Sequence, residues 1–292
     1  MLSKSQIQEY RTQGFLCVPD FLSPGLIDTF LETADEIIGS NTANDFDSTR
    51  VEMEPDQSPS GTKVRRIYEP CEYYAPFRSY SDSPEALNAV EQLIGHNIYL
   101  HYSKLNMKPA KLGSVVDWHQ DLSYFPSTNG DSLAILIYLD DADIENGCLM
   151  ALPRRHENDL MDHTSSGVFQ GRITETIDES DAENLVGKAG TAIFVHCLTP
   201  HASRPNLSER QRRTLIISYR ATDSFPIFVD NRTMEVEKYL RLVRGKAVDF
   251  SRMEFKSLPI RVYRGKKAPL YNLQVGSRQG ELETRTLALY FL

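Results

Sequence analysis

Cysteine is scarce in this chain: four residues among 292, at positions 17, 71, 148 and 197, with no CxxC pair. That spacing supports neither a disulfide framework nor a zinc knuckle, so the thiols are expected to be reduced core residues. Long apolar runs are lacking too. The longest uninterrupted one, Leu133 to Leu139, has seven residues, whereas a helix needs ~20 to cross a bilayer, so no membrane partner is expected. Nor is there an excess of positive charge, since 32 Lys and Arg stand against 40 Asp and Glu for a formal net charge of −8. Without a basic field, nucleic acid is not an expected partner. The opening MLSKSQIQEYRTQG is polar and has no apolar stretch behind a charged start, so no signal peptide is read and a cytoplasmic location is expected. The sequons at Asn206 and Asn231 then carry no meaning. Internal repeats and low-complexity tracts are also missing.

What remains is the composition of an ordinary globular protein, 40% hydrophobic and 25% charged. The first third reads as helical. Ser23-Pro24 forms an N-cap and N1 pair, and Leu26, Ile27, Phe30, Leu31, Ala34, Ile37 and Ile38 recur at helical spacing up to Gly39. A second helix begins at Ser83-Pro84 and stops at Gly95, with Leu87, Val90, Leu93 and Ile94 on one face. Between them, residues 40–62 are polar and acidic, the composition of a mobile loop or lid. From Asn97 the texture turns to short β segments, at 97–107, 132–139, 148–152, 190–196 and 214–220, separated by turn residues. Helices first and strands afterwards predict an α+β fold, mainly β at its core, with the helices packed on a sandwich or barrel.

The chemistry is concentrated in Trp118-His119-Gln120-Asp121 and in His201, 80 residues beyond Asp121. On an extended strand residues i and i+2 share a face, so His119 and Asp121 can reach one ion, with a third ligand from elsewhere. Two histidines and a carboxylate on one face of an octahedron, with three positions open, suit non-haem Fe(II) oxygenases. Zinc more often takes three or four protein ligands in a tetrahedron. An H-x-D pair also arises by chance in structural roles, so its context matters. Arg212 lies 11 residues past His201 and opens an apolar strand. A guanidinium inside an apolar barrel needs a carboxylate and pairs with one bidentately, which marks Arg212 as a cosubstrate anchor.

Neighbouring residues receive blander assignments. Gln120 points away from the ligands by strand parity and is expected to be structural. His196 is expected to be a hydrogen-bonded core residue, and Arg213 to face away from Arg212 into solvent. Trp118 either packs beside the site or walls its pocket. Tyr124 and Phe125 are core or pocket residues. His96, His101, His156 and His163 lie outside the motif and are given no metal role.

The segments KV at 63–64, LNMKP at 105–109, WHQDLSYFP at 118–126, ENGCLMALPRRH at 145–156, and H-x-S-x-x-N ending in RR at 201–213 come in a characteristic order and spacing over most of 63–220. In these segments the chain resembles the phytanoyl-CoA dioxygenase family of Fe(II)/2-oxoglutarate oxygenases. The resemblance implies a double-stranded β-helix (jelly roll, cupin-like) with N-terminal helices packed on it. It implies Fe(II) held by His119, Asp121 and His201, with 2-oxoglutarate and O2 as cosubstrates and succinate and CO2 released. It also implies that Arg212 and Ser203 hold the distal carboxylate of 2-oxoglutarate, with Lys108 beside the cosubstrate. Lys63 and Lys104 match further cosubstrate contacts, while a tryptophan that some members carry is replaced here by Leu136 or Ile137. Halogenating relatives replace the carboxylate with a small residue, so Asp121 implies hydroxylation or another oxidation.

One domain over 1–292 is expected: a helical N-terminal decoration (1–96) with loop 40–62, a jelly-roll core (97–220) and a C-terminal extension (221–292). The substrate is expected to be a small organic molecule. Lys63, Arg65, Arg66, Arg154 and Arg155 offer cations for an anionic one, or form a solvated basic face. Two alternatives stand beside this reading: an acyl-CoA hydroxylase like phytanoyl-CoA dioxygenase, and a non-catalytic metal-binding jelly roll acting as a sensor.

Overall fold

The strands at the centre of the molecule are Val-, Ile- and Leu-rich and buried on both faces, as strands covered on each side must be. β4 (Ile98–Lys108), β6 (Ser132–Tyr138), β11 (Ala192–His196) and β13 (Arg212–Ala221) pair antiparallel in the order β11-β6-β13-β4. The computed structural model describes residues 1–55, 57–112, 115–227, 237–258 and 270–279. In it this sheet reaches eight strands. β1 (Phe15–Val18) adds beyond β11, β3 (Val64–Tyr68) and then β2 (Val51–Met53) beyond β4, and β14 (Arg241–Arg244) also pairs β4. A second sheet has the order β10-β7-β12-β5, from Glu183–Leu185, Leu149–Ala151, His201–Ser203 and Val116–His119. A small hairpin joins β8 (Thr164–Ser165) to β9 (Val168–Phe169).

Leu136, Tyr138, Ile193 and Val195 of the large sheet pack against Leu149, Ala151 and Leu185 of the small one. The two sheets therefore face each other as a jelly roll, which was the expected core. The other face of the large sheet, with Ile135, Ile137, Leu215 and Ile217, packs on Phe30, Ala34, Phe77 and Val90. Those side chains come from helices α2 (Pro24–Gly39), α4 (Ala75–Ser81) and α5 (Pro84–Ile94), while α1 (Lys4–Gln13) and α3 (Pro70–Tyr73) complete the helical layer. Ser83 caps α5 as predicted, its hydroxyl accepting from the Ala86 amide at 3.3 Å. Ser23 caps α2 with its backbone carbonyl only, accepting from Leu26 and Ile27.

Several expectations change. The N-terminal third contributes three strands to the main sheet as well as helices. Residues 40–62 are not a free flap: β2 pairs with β3, and Val51 and Glu54 are buried. The cause is electrostatic, because the buried guanidinium of Arg65 takes Glu54 as its counter-charge. Arg213 is buried, not solvated. Its guanidinium meets Asp140 at 2.8 Å and Asp35 of α2 at 2.9 Å, pinning that helix to β13. The tail, unassigned from sequence, supplies β14 and a helix at Leu270–Gln279.

Candidate metal centre and cosubstrate pocket

β12 lies between β7 and β5, and the register places the Cα of His201 opposite that of His119. β5 stops at His119. Asp121 opens a one-turn 3₁₀ helix, Asp121–Ser123, in which its carbonyl accepts from the Tyr124 amide at 2.9 Å. The H-x-D pair is thus not two positions of one strand, as the spacing had suggested. The turn brings the carboxylate round to the same point. Oδ1 of Asp121 lies 3.8 Å from Nε2 of His119 and 3.8 Å from Nε2 of His201. One ligand atom from each of the three residues falls within 4.8 Å of the others, and both histidines are buried.

Both imidazoles are oriented the same way. Nδ1 of His119 meets the Asp117 carbonyl at 2.8 Å, and Nδ1 of His201 the Thr199 carbonyl at 2.9 Å. A carbonyl can only accept, so Nδ1 carries the proton and Nε2 presents its lone pair to the shared point. Burial, followed by the neighbouring His201, pushes the His119 pKa well below its ordinary value, keeping the ring neutral. A neutral imidazole is the form that ligates a metal. Gln120 is structural as expected: its side chain donates to the Leu198 carbonyl at 2.7 Å and accepts from the Met161 amide at 2.8 Å. His196 likewise stays away from the metal point, its Nδ1 accepting from the Leu198 amide. Trp118 turns outward and donates to Glu179 at 2.7 Å.

Beside the two histidines lies a cavity of about 80 Å3 whose walls include Lys104, Lys108, Ser203 and Arg212. Arg212 is 6% exposed, and its Nη1 donates to Thr214 at 2.6 Å while its Nε has no hydrogen-bond partner among the described residues. Burial lowers its pKa. Lys108 donates to the carbonyls of Ser203 and Arg204, and burial together with Arg212 pushes its pKa well down. Burial and Arg66 bring Lys104 down to about 8. Arg65 and Arg66, on β3, also line the cavity, with Glu54 and Glu52 as their carboxylate partners. Leu136, not Ile137, occupies the wall position. Lys63, one residue before β3, is exposed and outside the cavity, which Arg65 and Arg66 line instead. Arg154 and Arg155 are likewise exposed. The cations of this wall outnumber their acidic partners, which suits a ligand with two carboxylates, and the unpaired Nε of Arg212 gives one of them a donor.

Asp121, alone of the three candidate ligands, faces a second cavity, of about 30 Å3, whose walls include His101, Phe125 and Arg220. Phe125 is therefore a pocket residue, and Tyr124 packs edge-on to His119 with 5.6 Å between ring centroids. Sequence reasoning left out Arg220 and gave His101 no role. The alternation Arg212, Thr214, Ile216, Ser218, Arg220 along β13 was the available signal.

The sequence model of the phytanoyl-CoA dioxygenase family matches residues 10–214. A probable alpha-ketoglutarate-dependent hypophosphite dioxygenase from Stutzerimonas stutzeri is 31% identical over 255 residues, covering 85% of this chain and 88% of that protein. A methylphosphonate hydroxylase from Gimesia maris is 27% identical over 220 residues, 75% of this chain and 81% of that protein. Among solved structures, the apo form of EctD from S. alaskensis superposes with a TM-score of 0.64 at 21% identity, over 92% of this chain and 89% of that one.

Proposed function

The chain belongs to the phytanoyl-CoA dioxygenase family of Fe(II)/2-oxoglutarate-dependent oxygenases, and from that premise we propose that it oxidises a compact, anionic small molecule at the His119–Asp121–His201 centre. It is an enzyme of the non-haem iron, 2-oxoglutarate-dependent dioxygenase class. The observation that carries the site assignment is the convergence of two buried, Nε2-presenting histidines and one carboxylate within 4.8 Å, the donor set of an iron centre with open positions.

When bound, iron and 2-oxoglutarate supply the oxidation of an unactivated C–H or equally inert bond by O2, releasing succinate and CO2. The chain does the rest. His119, Asp121 and His201 hold the metal, with Asp117 and Thr199 fixing the two rings. Arg212 takes the distal carboxylate of 2-oxoglutarate with Ser203 beside it, and Lys108 and Lys104 offset the remaining negative charge. Tyr138, whose hydroxyl is tied to the Leu185 carbonyl at 2.9 Å, places its ring 6.0 Å from the Arg212 guanidinium and limits the directions it takes. Leu136, Leu149 and Ile216 exclude water from this end.

A compact substrate is proposed over an acyl-CoA, to occupy the small cavity on the Asp121 side. Two relatives whose names specify small phosphorus compounds, hypophosphite and methylphosphonate, support the same choice. Succinate formed from 2-oxoglutarate, dependent on added Fe(II) and O2 and lost in Asp121→Ala, is the expected result. Succinate formation unchanged in that variant would overturn the site assignment.

A further inference from the structure

β4 and β13 run antiparallel with one irregularity: Ser218 pairs with Tyr102 and Tyr219 with Leu100, so His101 has no opposite number. This is a β-bulge, a device that re-aims side chains. It inverts the alternation of β4. Lys104, Asn106 and Lys108 face the cosubstrate cavity on one side of the bulge, and His101 faces the second cavity on the other. β13 alternates without interruption, so Arg212, Thr214, Ile216, Ser218 and Arg220 all face the interior. One strand therefore presents an arginine to each chamber, eight positions apart, which is about 26 Å along an extended strand.

Arg220 is 5% exposed. Its Nη1 donates to the Ser224 carbonyl and its Nη2 to Glu237, which hold the fork in place, while its Nε has no partner among the described residues. Oε1 of Glu237, also buried, has no partner among the described residues beyond its 3.5 Å contact with Nε2 of His101. Among the described residues a buried donor thus stands unused on the wall of a chamber that Asp121 faces, beside a carboxylate oxygen that His101 approaches at 3.5 Å. Native proteins rarely leave such groups unmet. The chamber is small, and Phe125 forms part of its wall, packed edge-on to His101 at 4.6 Å.

We propose that this second chamber receives the substrate and that Arg220 anchors it through a small anionic oxygen group accepting from Nε, while Glu237 accepts from an N–H or O–H on the same molecule. The inference rests on the functional reading above and adds the recognition chemistry: a compact oxoacid anion carrying its own donor. A monoprotonated phosphonate and an amino-acid zwitterion share that chemistry.

Calorimetric titration of the protein loaded with Mn(II) and 2-oxoglutarate, using methylphosphonate in one arm and glycine in the other, tests the proposal. Binding of at least one ligand is expected, and the arm that binds tighter identifies which source of the anion the chamber prefers. Arg220→Gln should weaken that binding at least tenfold, with partial recovery in Arg220→Lys and 2-oxoglutarate affinity unchanged within twofold. The double variant Arg220→Gln/Glu237→Gln avoids a stranded buried carboxylate and should show the same loss if the single variant does not fold. Failure of the wild type to bind either ligand, or equal binding by the glutamine variants, overturns the inference. Failure of the wild type to bind Mn(II) and 2-oxoglutarate would instead overturn the functional reading beneath it.

Discussion

His119 and His201, 82 positions apart in the chain, are direct cross-strand partners on β5 and β12, with ring centroids 4.1 Å apart. Each ring is tied by Nδ1 to the carbonyl two residues before it. Sheet register thereby sets the spacing of the two candidate ligands, and a one-residue slip would send one imidazole to the other face.

Replacing either histidine should separate metal binding from folding. Because loss of outer-shell partners alone costs ~10–100-fold in metal affinity or activity, His201→Ala is expected to lose about 100-fold or more in Fe(II) affinity and succinate formation. Its metal-free melting temperature should stay within a few degrees of the wild type. Metal analysis and thermal unfolding of the apo proteins check both halves, and a large loss of apo stability would point to a structural role instead.

Adjacent arginines on β13 should fail in opposite ways. Charge-assisted hydrogen bonds contribute ~1.5–3 kcal/mol, so Arg212→Ala should weaken 2-oxoglutarate binding by about 10- to 150-fold and leave urea stability near wild type. Arg213→Ala strands Asp140 against the core. Removing one partner of a buried pair costs ~3–5 kcal/mol; with Asp35 largely exposed, about 2–3 kcal/mol is expected, with 2-oxoglutarate affinity retained once folded. Urea midpoints and cosubstrate titrations on the two variants distinguish these outcomes.

Lys104 should make cosubstrate binding pH-dependent. Burial and Arg66 hold its pKa down at about 8, so the ammonium is present at neutral pH and is lost as pH rises through that value. An anionic cosubstrate prefers the charged form. Affinity for 2-oxoglutarate is therefore expected to be flat below about pH 7 and to fall above about 8, and Lys104→Met should flatten the profile. Titrations of the Mn(II)-loaded protein across this range measure it, and an affinity that rises with pH would contradict the assignment.

Gly147 has a positive φ of 74°, and a Cβ there would lie 2.3 Å from the Arg204 carbonyl oxygen. That carbonyl also accepts from Lys108. Backbone cannot swing aside as a side chain can, so Gly147→Ala should destabilise the protein by about 1–3 kcal/mol, the cost of backbone strain at such a position. It should also weaken 2-oxoglutarate binding severalfold by shifting the Ser203–Arg204 wall. A melting curve and a cosubstrate titration on the variant test both effects.

Much of this arrangement was legible in the residues themselves. Ser83-Pro84 and Gly95 bound a helix by local capping chemistry, and the apolar run at 132–139 could hardly be anything but a covered strand. Motif order pointed to His119, Asp121 and His201, which the fold brings together, and to Arg212, which lines the adjoining cavity. What escaped depends on long-range pairing. Val51–Met53 is a strand because β3 lies beside it and Arg65 needs Glu54, and nothing in an acidic local sequence announces that. Arg213 looked solvated because its partner Asp35 is 178 positions away. Lys63 was matched to the cosubstrate while Arg65 and Arg66 are the residues that line the cavity, a distinction of two or three positions. His101 enters the second chamber through a bulge, which no periodicity in β4 signals. Gln274, whose side chain accepts from the Asp117 amide at 3.2 Å, sits in a tail without a clear pattern.

The most direct test of the account is anaerobic addition of Fe(II) and 2-oxoglutarate to the metal-free protein, monitored in the visible for the metal-to-ligand charge-transfer band of a chelated complex. The account predicts that the band appears in the wild type, is absent in His119→Ala, and requires much more 2-oxoglutarate in Arg212→Ala. Folded protein that shows no band with both components present would contradict it.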